Sequence, residues 1–115
     1  MSAENTLYLI ATSKMYNPGT AVELVQVKTG AGYVMGLEAL NVNAGTRYLY
    51  LFDNTSSTGA LLIAPVKLTA GQSWQFSFPT PLTFATGLRA NMSSGVAGVF
   101  TTSGGNDLIL TAQYF

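Results

Sequence analysis

The chain has 115 residues, enough for one domain and too few for two separate cores. Only 9% of them are charged, against roughly 25% in typical soluble domains, and five Lys or Arg residues balance five Asp or Glu residues. There is no cysteine and no histidine, which excludes disulfides and thiolate metal sites and removes the commonest general base.

Apolar residues recur mostly with period 2, in short runs broken by Gly, Pro, Asn and Ser; this is strand spacing, not helix spacing. The first expected strand runs from Thr6 to Ser13, and Asn17-Pro18-Gly19 turns the chain into Val22 to Lys28. Thr29-Gly30-Ala31-Gly32 leads into Tyr33 to Val42, and Asn43-Ala44-Gly45 into Arg47 to Asp53. A polar loop from Asn54 to Gly59 precedes Ala60 to Leu68, where Pro65 marks an edge or a bulge. Ser73 to Phe78 follows Thr69-Ala70-Gly71 and is ended by Pro79-Thr80-Pro81. Thr83 to Met92 and Val96 to Thr101 read as a pair around Ser93-Ser94-Gly95. Asp107 to Phe115 closes the chain after Ser103-Gly104-Gly105-Asn106. About nine such strands with turn punctuation imply an all-β fold, an antiparallel sandwich with the jelly roll among its topologies, as a single domain over residues 1–115.

Alternation also assigns faces. In Ser73 to Phe78 the rings of Trp74, Phe76 and Phe78 share one face and are expected in the core with Leu49, Leu51, Leu108 and Leu110. Tyr48-Leu49-Tyr50-Leu51-Phe52 is apolar on both faces, which suits a central strand or one whose outer face meets another subunit. Met1 to Thr6 carries little core-forming material and reads as an arm held by another chain. The residues expected at an interface are therefore Met1, Ser2, Ala3, Glu4 and Asn5, with Tyr16, Tyr48, Tyr50 and Phe115, since a tyrosine offers area and a polar tip.

Candidate chemistry is thin. Gly30-Ala31-Gly32-Tyr33-Val34-Met35-Gly36 misses dinucleotide-fingerprint spacing by one residue and runs into a strand, so it reads as a turn plus a bulge. Glu23, Glu38 and Asp53 have no spacing that fixes a carboxylate pair or a calcium loop, and read as solvated or salt-bridged surface. Ser and Thr are plentiful, yet none has a base at a useful spacing. No catalytic, cofactor-binding or metal-binding residue is expected. The cations are scattered singly, so nucleic acid is not expected, and no apolar run approaches the roughly 20 residues of a membrane helix. Asn54-Thr55-Ser56 and Asn91-Met92-Ser93 match the glycosylation pattern, but Met1 to Asn5 lacks the features of a signal peptide.

The second half runs Tyr48-Leu-Tyr-Leu-Phe-Asp53, then Pro65-Val-Lys-Leu-Thr-Ala-Gly71 and Trp74-Gln-Phe-Ser-Phe78, then Phe84-Ala-Thr-Gly87-Leu-Arg-Ala-Asn-Met-Ser93 and Asp107-Leu-Ile-Leu with Tyr114-Phe115. Over residues 46–115 this pattern resembles the small virion proteins of tailed bacteriophages. The resemblance implies a small β-sandwich that decorates capsids, builds fibres, or sits in the neck or tail. The leading expectation is a capsid decoration (cement) protein, a homotrimer contacting the major capsid protein, located in the virion and made in the host cytoplasm. A fibre-base, neck or tail component is the alternative within that class. A carbohydrate-binding β-sandwich module is the alternative outside it, and it requires exposed aromatics on one concave face with acids and amides between them.

Overall fold

The computed structural model describes residues 13–95 and 100–115, apart from the side chains of Phe78 and Pro79. Eight strands form among them: β1 (Lys14–Tyr16), β2 (Leu24–Thr29), β3 (Gly32–Asn41), β4 (Arg47–Phe52), β5 (Val66–Leu68), β6 (Ser73–Phe84), β7 (Gly87–Ser93) and β8 (Leu108–Tyr114). They make two four-stranded antiparallel sheets, sheet A in the order β1-β8-β3-β6 and sheet B in the order β2-β7-β4-β5. The fold is a β-sandwich, as the period-2 pattern implies.

Strand pairing identifies the topology. β1 pairs with β8, β2 with β7, β3 with β6 and β4 with β5. The chain is thus one long two-stranded ribbon, with β4 and β5 at its tip, wrapped so that β3 also meets β8 and β4 also meets β7. This is the jelly roll. Except for the step from β4 to β5, each connection passes from one sheet to the other.

The core lies between the sheets. Leu49, Leu51, Leu68, Leu88 and Met92 from sheet B meet Val34, Leu37, Leu108 and Leu110 from sheet A. Burying each of these side chains contributes roughly 1.5–3 kcal/mol. Trp74 and Phe76 face the same side as Leu37 and Ala39, their register partners on β3, with ring centroids 5.6 Å apart. Both are only half-buried, because β6 is the edge strand of sheet A and covers the core from one side alone.

Several expected boundaries shift. The strand expected over Thr6 to Ser13 falls almost wholly outside the described residues, and β1 begins at Lys14. Ala60 to Leu68 is a strand only over Val66–Leu68: Leu61 makes a single bridge to Phe52, and Pro65 has no N–H to extend a ladder. Pro79 and Pro81 do not end β6, which continues to Phe84. The register jumps from Gly36↔Ser77 to Val34↔Leu82, so the prolines sit in an irregular stretch of an edge strand, where a missing N–H breaks no ladder. Thr83 to Met92 is not one strand, because the chain leaves sheet A at Ala85–Thr86 and enters sheet B at Gly87. Of the strand expected over Val96 to Thr101, residues 96–99 lie outside the described residues; Thr102 makes a single bridge to Ser93. The turn-plus-bulge reading of residues 30–36 holds: Gly30 has φ 93, and β3 bulges at Met35 against both its neighbours.

Candidate functional site

A sandwich meets partners through the outer faces of its sheets and through its ends. The outer face of sheet B carries Gln26, Arg89 and Phe52 in one cross-strand row and Leu24, Asn91 and Tyr50 in the next. Phe100 folds over this face, its ring 5.0 Å from that of Tyr50 and 5.4 Å from that of Phe52. The loop after β4 reaches over Arg89 and Asn91. Ser57 Oγ lies 2.8 Å from Arg89 Nε and 2.7 Å from Asn91 Nδ2, and Arg89 also donates to Gln26 Oε1 at 3.2 Å. Two buried atoms in this layer, Tyr50 Oη and Asn91 Oδ1, have no hydrogen-bond partner among the described residues.

The outer face of sheet A is barer. Gly36 floors a hollow of about 140 Å³ there, lined among others by Met15, Glu38, Gln75, Thr111 and Gln113. Met15 is 63% exposed at its rim. Glu38 accepts one long hydrogen bond, 3.4 Å from Gln75 Nε2. Gln113 Nε2 donates to Ser13 Oγ at 2.8 Å, and the Thr111 hydroxyl to Asn17 Oδ1 at 3.2 Å.

The two ends of the sandwich hold two aspartates, Asp107 and Asp53. At one end Asp107, 4% exposed, accepts from Arg47 Nε at 2.9 Å and Asn43 Nδ2 at 3.0 Å. Burial opposes its ionisation, but the bonds from Asn43, Arg47 and Ser103, together with the Arg47 charge, outweigh it and hold the carboxyl below its ordinary value. At the other end Asp53 closes the step from β6 to β7 by accepting from the backbone N–H groups of Ala85, Thr86 and Gly87. The N–H groups of Ala85 and Thr86 do most to hold its carboxyl low. Asp53 lies at the surface, as expected, and is also the acceptor that fixes a turn. Beside that turn a second hollow, about 190 Å³, is lined by Ala31, Gly32, Tyr33, Thr83 and Phe84.

Of the residues expected at an interface, only Tyr48 and Tyr50 share a face among the described residues, the outer face of sheet B. Met1, Ser2, Ala3, Glu4 and Asn5 lie outside the described residues. Tyr16 is half-buried against the core. Tyr48 is half-buried on sheet B between Lys67 and Ser93. Tyr50 is only 4% exposed, so its expected place at a surface is corrected: Phe100 covers it. Phe115 stands edge-on to Tyr33 with centroids 6.3 Å apart. Asn91 of the second glycosylation pattern is fully buried in β7, out of reach of any modifying enzyme.

The Arg47–Asp107 pair and the Gly36 hollow were not among the sequence candidates. The pair joins positions 60 residues apart, and nothing local marks it. The hollow did have a signal, a glycine inside an otherwise strand-like run, which usually marks a bulge or a close approach. Among the described residues no group of three acids could hold a metal ion, and no helix is long and apolar enough to cross a membrane. In comparison with known proteins, no family model matches the chain, and no curated protein and no solved structure is significantly similar to it.

Proposed function

We propose that this chain is a virion structural protein, a capsid decoration protein that binds the shell and copies of itself, as a trimer, without catalysis. The observation that carries this reading is the jelly-roll wrapping, an architecture recurrent in viral capsid and lectin domains. Fold alone does not set function, so the surface has to agree with it. With five cations against five anions, copies repel one another weakly and can crowd together on a shell. The hollows at Gly36 and Tyr33 are shallow and hold no nucleophile–base pair. The aromatic platform of a carbohydrate-binding module also lacks support: Tyr50 and Phe52 are buried, and Trp74 is packed against the core.

The test is quantitative mass spectrometry of purified particles from the producing system. A decoration protein is present at a copy number comparable to that of the shell subunit. A count of a few to a few dozen per particle would move the chain to the neck, tail or fibre base. Its absence from particles would overturn the reading.

A further inference from the structure

We infer that Ser73 to Ser77, on the outer edge of β6, pairs antiparallel with the same stretch of a second copy, about a two-fold axis at Gln75. The inference goes beyond the structural-protein reading and does not need it, because the contact follows from the edge itself.

The first argument is which edges are guarded. An open strand edge is a template for another strand, and proteins blunt it with short strands, bulges, prolines and especially lysines. The edge strands are β1 and β6 in sheet A, β2 and β5 in sheet B. The chain's three lysines lie one on each of three of them: Lys14 on β1, Lys28 on β2 and Lys67 on β5. β1 and β5 are also only 3 residues long, and β2 bulges between Gln26 and Lys28. The second half of β6 holds Pro79 and Pro81, but Ser73 to Ser77 has no charge, no proline and no bulge. Among the described residues no strand lies beyond it.

The second argument is which backbone groups face outward. The Asn41 N–H donates to the Gln72 carbonyl and the Gly71 N–H to the Asn41 carbonyl, each at 3.0 Å. Alternation along the ladder then turns the backbone groups of Trp74 and Phe76 toward β3, opposite Ala39 and Leu37. Those of Ser73, Gln75 and Ser77 point to the open side. Pro79, with no N–H, limits the row of donors.

The third argument is what fits such a row. Ser73-Trp74-Gln75-Phe76-Ser77 has the same pattern read in either direction: hydroxyl, ring, amide, ring, hydroxyl. With the axis at Gln75, that residue meets its own counterpart, and Ser73 meets Ser77 of the second copy. These are hydrogen-bonded pairs, each exchanging two backbone bonds. Trp74 meets Phe76 of the second copy at a non-hydrogen-bonded position, where side chains stand closest and aromatic pairs gain most. Both rings are half-buried at the edge, and the second copy extends their cover. A strand of other sequence could take the backbone bonds, but a second copy also matches ring with ring, amide with amide and hydroxyl with hydroxyl. Charge does not oppose the pairing. Glu38 is the register neighbour of Gln75, so the two Glu38 residues stand three strand spacings apart, roughly 14 Å. That exceeds the Debye length of about 10 Å in 0.1 M salt. A contact of this kind closes on two copies, so in a trimeric assembly it joins one trimer to the next.

The test uses the purified full chain. Its one tryptophan, Trp74, lies at the contact, so its emission should shift to the blue as concentration rises and sedimentation shows association. Ser73→Lys with Ser77→Lys sets lysine against lysine and should halve the size of the assembly, as should Ser73→Glu with Ser77→Glu. Both positions are exposed, so the melting temperature of each variant in dilute solution should hold. An equimolar mixture of the two variants should restore the assembly, and added salt should weaken the restored form. A nitroxide on Thr111→Cys leaves the edge untouched and decides if the charged variants do not fold. Thr111 shares a row with Glu38 and Gln75, so two labelled α-carbons should stand roughly 24 Å apart, five strand spacings. Assembly undiminished in either double variant, or no such distance between labels, would overturn the inference. So would loss in both variants without recovery on mixing, which would give the edge to residues 1–12 or to a strand of another protein.

Discussion

Asp107 and Asp53 each tie together parts of the chain that are far apart in sequence. Replacing Asp107 by Ala strands the Arg47 guanidinium and the Asn43 amide at a mostly buried place, and should cost about 2–4 kcal/mol in denaturant unfolding. Both carboxyls have folded pKa values below their ordinary value of 3.8. A depressed folded value means the stabilisation is complete above the unfolded pKa and is lost as pH falls through the folded one. Stability should therefore be flat from about pH 5 to 8, where no histidine titrates, and should fall below about pH 4. Asp53→Asn and Asp107→Asn should each flatten that acid limb. Tyr50 gives the opposite kind of prediction. Its buried hydroxyl has no partner among the described residues, so Tyr50→Phe should be neutral or raise stability by up to about 1 kcal/mol. A loss above 1 kcal/mol would show that the hydroxyl has a partner after all.

At the scale of the strand, legibility depended on where each restraint sits. Tyr48 to Phe52 alternates cleanly, and its leucines do go inward while its aromatics go outward. That Phe100 would cover Tyr50 could not be read, because a remote segment supplies the cover. The break at Ala85–Thr86 was likewise invisible, since the acceptor that makes it comes from Asp53, more than 30 residues earlier. The prolines of β6 misled in the other direction: they forbid a central strand, but an edge tolerates them. Of the hollow on sheet A, Gly36 and Glu38 stood out in the sequence, but nothing local brought Gln75, Thr111 and Gln113 to them. Edge position also sets the energetics. Leu51→Ala, fully buried at the centre of sheet B, should cost about 2–5 kcal/mol. Phe76→Ala on the half-open edge should cost less, about 1–2 kcal/mol. Equal losses in thermal or denaturant melts would show that the edge of sheet A is covered in solution.

At the scale of the molecule, the near-absence of charge predicts how copies meet. Self-association of the isolated chain should change little with salt, because few charges are there to be screened. Sedimentation at micromolar concentration should show an oligomer of similar size at low and high ionic strength. A monomer at both would restrict association to the shell. The arm expected over Met1 to Thr6 is tested by deleting residues 1–5 and comparing melting temperature with assembly. Assembly should weaken while the melting temperature holds.

The nested ribbon also dictates an order of events in time. Its tip, β4 with β5, closes a short stretch of chain, whereas the β1–β8 end joins positions as distant as Ser13 and Gln113, 100 residues apart. Loop closure of that length makes refolding slow, on the order of milliseconds to seconds. The tip is the natural nucleus and the ends the natural last step. Leu49→Ala should chiefly slow refolding, while Ala112→Gly, where β8 meets β1, should chiefly speed unfolding. Until that last step is taken, β8 and its neighbour β3 present an unpaired margin, so the newly made chain is most exposed to wrong partners just before it is finished.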